Sequence, residues 1–218
     1  MTWPVNKLLK GILISIILIA IILFATTLYL KISYPLSYRN TIKKYSEQFN
    51  VDPYLVAAII NVESNFDKDA ISTKEARGLM QISSTTGQWA SEVLSIDDFN
   101  LDMLFEPDRN IMIGTWYLNI LSIEFDDNLK LILAAYNGGS GNVNKWLKDD
   151  RYCEDGKTLK RIPFKETDQY VEKVIANYNM YKKLYGGQFE KLDEDKEPYL
   201  LVLLHNIRKL IKALVIHK

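Results

Sequence analysis

The chain has 218 residues, with 27 basic and 27 acidic side chains, so its formal net charge is zero. That length fits one moderate domain with attachments, and the balanced charge gives no electrostatic reason to expect nucleic acid as a partner. Cys153 is the only cysteine and His205 and His217 the only histidines, both near the C-terminus. This excludes an intramolecular disulfide, a Cys/His zinc cluster, and a Ser-His-Asp or Cys-His catalytic centre in the middle of the chain.

Residues 1–10 form a short N-terminal segment. Between Lys10 and Lys31 the sequence GILISIILIAIILFATTLYL carries no charge. A helix needs about 20 apolar residues to cross the hydrocarbon core, and this run reaches that length without a polar face. A cleaved signal peptide has an apolar core of only about 7–15 residues followed by small residues, and Ala25-Thr26-Thr27 is a poor cleavage match. Residues 11–30 are therefore expected to be a retained transmembrane anchor. Lys7 and Lys10 precede the run, while Lys31, Arg39, Lys43 and Lys44 follow it. The positive-inside rule alone would not place the following domain outside the cell; the chemistry below does.

From Ser33 to Tyr185 the pattern is helical. Tyr34-Pro35 marks the exit from the anchor, and SYRNTIKKYSEQFN shows apolar residues near helical spacing. Asp52 before Pro53 reads as an N-cap with proline at the first helical position. The helix that follows, YLVAAIINVES, is apolar nearly all round and should be buried. Residues 66–77 are polar and turn-like, and a short element begins at Gly78. Pro107 opens a long pattern through IMIGTWYLNILSIEF. Residues 129–136 form a short apolar helix ended by Asn137-Gly138-Gly139, and residues 165–185 a last amphipathic helix ended by Gly186-Gly187. No alternating strand pattern and no internal repeat occur, so the fold class is mainly α.

Residues 188–218 contain an acidic linker, EKLDEDKE, and then PYLLVLLHNIRKLIKALVIHK. Its apolar residues fall at Leu200, Leu203, Leu204, Ile207, Leu210, Ile211, Leu214 and Val215. That spacing is an amphipathic helix, suited to a membrane surface, to the domain, or to a partner helix. Cys153 follows the polar run KDDRY and is expected on a surface loop.

Glu63 ends the most apolar helix of the soluble part. Glutamate is seldom buried without a partner, and apolar surroundings would raise its pKa so that it holds a proton near neutral pH. Breaking a glycosidic bond requires such a donor for the leaving oxygen. Taken alone, a helix-end glutamate is more simply an exposed charge.

Its neighbours carry the argument further. Glu63-Ser64 is followed by Ser72, then Gly78-Leu79-Met80-Gln81, then Ala134-Ala135-Tyr136-Asn137-Gly138-Gly139, then PFKETDQYVEKV with Tyr170. In order and spacing this set resembles the lytic transglycosylase family of the soluble-type catalytic domain, over about residues 38–185. The resemblance implies a lysozyme-like helical domain over 31–187, preceded by one transmembrane helix. It implies peptidoglycan glycan strands as substrate, with no cofactor. Glu63 would be the single acid/base, followed by Ser64 of the family's Glu-Ser pair. Ser72 would lie near the reacting sugar, Met80 and Gln81 in the groove wall, and Tyr136 and Asn137 beside the glutamate. Tyr170 would orient Glu63. The implied product is a 1,6-anhydromuramoyl end, and the substrate's location places the domain on the extracytoplasmic side.

Each residue also has an ordinary structural alternative. Met80 suits core packing, Gln81 and Asn137 suit caps, and Trp89, Trp116 and Trp146 are expected in the core rather than under sugars. Asp67, Asp69 and Glu75 are loop charges, one of which would support a lysozyme-like hydrolase if it faced Glu63. A catalytically silent peptidoglycan-binding module, or a structural membrane protein, would leave Glu63 without use. Protein partners are not readable from the sequence.

Overall fold

A computed structural model describes residues 3–189. Among them the structure is helical, without a single strand; the only β pairing is three isolated bridges. The acidic linker beyond residue 189 and the amphipathic C-terminal helix expected from the sequence lie outside the described residues. The chain divides into two compact units, with the first helix in one and the remaining helices in the other.

Helix α1 spans Trp3–Ser33. Its stretch Lys7–Ser33 is long and apolar enough to cross a membrane. Residues such as Ile14, Leu18, Ile22 and Phe24 stand exposed around its circumference, which suits hydrocarbon and not water. Thr26 and Thr27 donate their hydroxyls to the carbonyls four residues earlier, so neither leaves an unpaired group.

The second unit begins with α2 (Arg39–Phe49) and α3 (Pro53–Glu63). Asp52 caps α3: its Oδ1 accepts the Tyr54 amide at 2.8 Å, and Pro53 supplies a first-turn residue that has no N–H to satisfy. The second carboxylate oxygen of Asp52 accepts the Tyr178 hydroxyl at 2.6 Å, tying the start of α3 to the last helix. Every residue from Tyr54 to Ile60 is buried. An all-apolar helix of this kind has to run through the middle of a domain.

Helix α4 (Ser84–Val93) is capped by Ser83, which accepts the Thr86 amide at 3.1 Å. A 3₁₀ turn, Leu101–Phe105, leads into α5 (Pro107–Glu124), then α6 (Leu129–Gly138), α7 (Ser140–Leu147) and α8 (Lys165–Tyr185). Helix α3 packs chiefly against α8, α2 against α5, and α6 against α7 and α8. The Tyr45 hydroxyl donates to Asp108 at 2.6 Å across the α2–α5 contact.

Three sequence expectations change. The element expected from Gly78 is a turn through Gln81, and helix resumes only at Ser84. Cys153 is not on the surface: it is 2% exposed, its backbone pairs with Leu159, and its thiol donates to Asp155 at 3.3 Å. The polar residues around it face outward while this one side chain turns in. Trp116 and Trp146 are core residues, whereas Trp89 is 42% exposed.

Candidate active site

The groove begins at the end of α3. A helix that starts at the Asp52 cap and runs eleven residues through the core delivers its last residue, Glu63, to the far side. There the chain reverses through Asn65 and Phe66, both at positive φ. The Ser64 hydroxyl donates back to the Ile60 carbonyl at 3.2 Å and the residue is buried. Ser64 thus closes the helix and does not face the groove.

Glu63 is half-buried, and its pKa is pushed up from the ordinary 4.5 to about 7. Desolvation is the main cause; a hydrogen-bonding influence from Tyr170 and the positive charge of Lys173 oppose it in part. Tyr170 and Lys173 share one stripe of α8 with Glu166 and Asn177, at helical spacing, and this stripe faces α3. Asn61 and Asn177 close the same contact, amide to amide, at 2.8 Å. The Tyr170 ring is buried, and burial together with the Glu63 charge holds its phenol well above the usual range. Its hydroxyl forms no hydrogen bond of ordinary geometry among the described residues, yet it is near enough to favour the Glu63 carboxylate.

The opposite wall is a loop, residues 70–83, and side chains hold it. Asn110 on α5 is fully buried and makes three bonds to backbone. Its Oδ1 accepts the Met80 amide at 2.7 Å, and its Nδ2 donates to the Arg77 carbonyl at 2.9 Å and the Leu104 carbonyl at 2.7 Å. Gly78 sits against this clamp at φ +75°; a Cβ there would lie 2.1 Å from the Leu104 oxygen. Gln81 adopts φ +48°, and its Nε2 donates to the carbonyls of Ala70 at 3.1 Å and Gly78 at 2.8 Å. Both amide hydrogens are then engaged, so Gln81 presents its Oε1 acceptor to the groove. The Ser72 Oγ accepts the amides of Lys74 at 3.2 Å and Ala76 at 3.0 Å, which leaves its O–H free to donate.

Met80 lies behind the wall and not on its surface. Its side chain is fully buried against Gly114, where a Cβ would stand 2.4 Å from the sulfur. Met80 serves the site through its backbone: the carbonyl accepts the Tyr136 hydroxyl at 2.9 Å, which pins the loop to the end of α6. Asn137, the next residue, is exposed, and its Oδ1 accepts the Thr167 hydroxyl at 2.8 Å. Its Nδ2 is thereby aimed as a donor.

These residues enclose two cavities of about 280 Å³ each. One holds Glu63, Ser72, Lys74 and Glu166; the other holds Thr86, Tyr117, Gly138 and Gly139. Gln81, Ser83, Tyr136 and Asn137 line both, so the two are lobes of one groove. A larger cavity of about 450 Å³, around Asn50 and Pro53, lies apart from this chemistry. Glu63, Ser72, Gln81, Tyr136 and Asn137 thus come together with Tyr170 behind them, whereas Ser64 and Met80 support from beneath. Asp67, Asp69 and Glu75 do not line the groove, but Glu166 does, at the rim; its carboxylate is 78% exposed and 3.9 Å from the Lys74 ammonium. Asn110, Thr167, Tyr117 and Glu166 were not singled out from sequence. The -Glu-Thr- preceding Tyr170 by one helical turn was the available signal for two of them.

Comparison with known proteins agrees with this geometry. The family described as the Transglycosylase SLT domain matches residues 40–158. The soluble lytic murein transglycosylase of Salmonella typhimurium is 34% identical over 171 residues, covering 78% of this chain and 26% of that protein. The membrane-bound lytic murein transglycosylase C of Edwardsiella ictaluri is 32% identical over 130 residues, covering 52% and 34%. Among solved structures, the 70 kDa soluble lytic transglycosylase of Escherichia coli superposes with a TM-score of 0.66 at 31% identity, over 75% of this chain and 27% of that one. A 70 kDa soluble lytic transglycosylase solved in complex with bulgecin A superposes with the same TM-score, at 30% identity over 75% of this chain and 27% of that one. The chain spans about a quarter of the length of the soluble relatives it matches.

Proposed function

This chain belongs to the transglycosylase SLT domain family, and on that premise we propose that it is a membrane-anchored lytic transglycosylase that cleaves peptidoglycan glycan strands with Glu63 as its single acid/base. The observation that carries the proposal is a half-buried carboxyl that lines a groove walled by amide and hydroxyl groups, where desolvation raises its pKa to about 7. A carboxyl whose pKa is raised towards neutrality can give a proton and later take one.

In the first step the Glu63 acid protonates the glycosidic oxygen between the muramoyl and glucosaminyl sugars as that bond breaks. The muramoyl ring develops oxocarbenium character. Glu63, now a carboxylate, takes the proton from the muramoyl C6 hydroxyl, whose oxygen bonds to the anomeric carbon. The products are a 1,6-anhydromuramoyl end and a free glucosaminyl hydroxyl, with Glu63 protonated again and no water consumed. The Gln81 acceptor and the Asn137 donor suit the N-acetyl and hydroxyl groups of the sugars. Tyr170 supports the charged form of Glu63 after the first transfer.

A single carboxyl fits the causes of the Glu63 shift, in which no acidic neighbour appears. One observation favours a second reading: Glu166 lines the same lobe as Glu63. If it activated water, the enzyme would be a hydrolase of the same bond. Digesting purified peptidoglycan and weighing the products decides between them. Anhydro ends that disappear in Glu63→Gln support the lyase, and reducing ends that disappear in Glu166→Gln overturn it. Bulgecin A, which is bound to a 70 kDa soluble lytic transglycosylase of the same fold, is expected to compete for this groove.

Helix α1 would hold the enzyme in the membrane, with the catalytic unit on the extracytoplasmic side where peptidoglycan lies. A phosphatase that is active only outside the cytoplasm, fused after residue 218, should be active; an inactive fusion would reverse the orientation.

A further inference from the structure

We propose that Trp89 is a sugar-stacking platform that extends the groove by one further N-acetylhexosamine, beyond the lobe lined by Thr86 and Tyr117. The inference rests on the glycan-cleaving reading above. Trp89 lies three residues after Thr86, so both occupy one face of α4, and Thr86 lines the groove. The Trp89 ring stands 6.2 Å from that of Tyr117, at 83°, and Tyr117 lines the same lobe. Tyr117 in turn lies 5.6 Å from Tyr136, so aromatic surface continues from the catalytic lobe outward to Trp89.

The indole is exposed but not loose. Buried Trp116 meets it edge-on, at 4.7 Å and 64°. Two rings from α5 fix its orientation, so a ligand that stacks on it orders little that is not already ordered. The faces of a pyranose present C–H groups, and its edges present hydroxyl and amide groups. An indole flanked by Thr86 and Gln88 matches both. The surroundings argue against other occupants. Helix α4 has no basic residue to meet an anionic lipid surface. Its other exposed residues are Ser84, Thr85, Gln88, Glu92 and Val93; Val93 alone adds apolar surface to Trp89, which is small for a protein-docking patch.

The test uses the full chain in detergent with Glu63→Gln, so that ligand is not consumed. Calorimetry compares peptide-free GlcNAc–MurNAc oligosaccharides of two and of four disaccharides. The longer chain should bind about tenfold more tightly, the size of one stacking contact. Adding Trp89→Ala should abolish that length advantage, and Trp89→Phe should restore most of it. With catalytic Glu63 present, Trp89→Ala should raise KM on long strands with little change in kcat. An unchanged length advantage in Trp89→Ala overturns the platform and leaves the glycan reading standing. Equal weakening for both lengths, with a lower Tm, makes Trp89 a packing residue and overturns it too. If neither oligosaccharide binds when Trp89 is intact, the glycan reading itself fails and takes the platform with it.

Discussion

One side of the groove is regular helix and the other is irregular loop, and the two contribute different chemistry. Glu63, Tyr170 and Lys173 come from α3 and α8, which pack face to face along an apolar contact. Packing there removes water from one carboxyl and so sets its proton affinity. Across from it, residues 70–83 form no helix or strand; turn and bridge bonds such as those between Arg77 and Ile82 pair part of their backbone, and Asn110, Gln81, Ser72 and Tyr136 pair further groups. Gln81 and Ser72 spend part of their polar capacity on the backbone and keep the rest at the groove, whereas Asn110 and the Tyr136 hydroxyl are spent on the backbone itself. The helical wall tunes an acid, and the loop wall aims donors and acceptors. The division follows from geometry: a helix satisfies its own backbone and can turn an apolar face to its neighbour, while a loop pairs only part of its backbone and draws on side chains for more.

The sharpest way to break the comparison is at Glu63. Glu63→Gln should lower turnover by on the order of 10³-fold, since the other carboxyl lining its lobe, Glu166, stands exposed at the rim. It should also stabilise the protein above pH 7. The folded pKa of about 7 lies above the ordinary 4.5, so the folded state holds its proton more tightly. Stability from this group is fully present below pH 4.5 and is lost as pH rises to about 7. Denaturant melts at pH 8 should show Glu63→Gln more stable by on the order of 2 kcal/mol, with the difference shrinking towards pH 5. Equal stability at both pH values would mean that burial does not set the acid. By the same titration, kcat/KM of the unmodified enzyme should fall about tenfold per pH unit above 7.

On the loop wall the expected loss is in stability and activity together. Asn110→Ala leaves the Met80 amide and the Leu104 carbonyl buried without partners, at a cost of about 3 kcal/mol. Gly78→Ala drives a methyl into the same clamp and should cost a similar amount. Chemical denaturation and turnover measured together check both; stability loss with full activity in the folded fraction would show that the clamp does not position the site.

Tyr170→Phe should change stability by less than about 1 kcal/mol, because its hydroxyl completes no ordinary hydrogen bond in the fold. Removing an influence that lowers the Glu63 pKa should move the alkaline limb of the pH profile upward. Turnover should fall about tenfold as the carboxyl loses its guide. An unmoved limb would remove Tyr170 from the machinery. The smallest effect belongs to the Lys74–Glu166 pair, which is exposed at both ends and separated by 3.9 Å. Lys74→Ala should shift stability by less than about 0.5 kcal/mol.

The helical wall could be read from the sequence because its causes are local. Asp52-Pro53 announces the start of α3, an unbroken apolar run announces its burial, and a glutamate at its end stands out against that run. The loop wall was legible only as motif. Gly78-Leu79-Met80-Gln81 indicated a site, but which atoms face the groove depends on Asn110, about thirty residues away, and on Tyr136 beyond it. The Met80 side chain and Ser64 accordingly lie buried behind the groove surface. Cys153 and Trp89 show the same limit in opposite directions: a polar neighbourhood surrounds a buried thiol, and an aromatic expected in the core stands half-exposed beside the groove.

Composition, periodicity and caps were enough for a mainly helical chain with an apolar N-terminal helix, and for an acid at the end of its most buried helix. Those features are written in spacing along the chain, where side chains three or four residues apart share a face. The lobes of the groove, the free atom of each amide, the pKa near 7 and the exposure of Trp89 arise only when distant segments pack, because desolvation and hydrogen-bond pairing depend on neighbours in space and not in sequence.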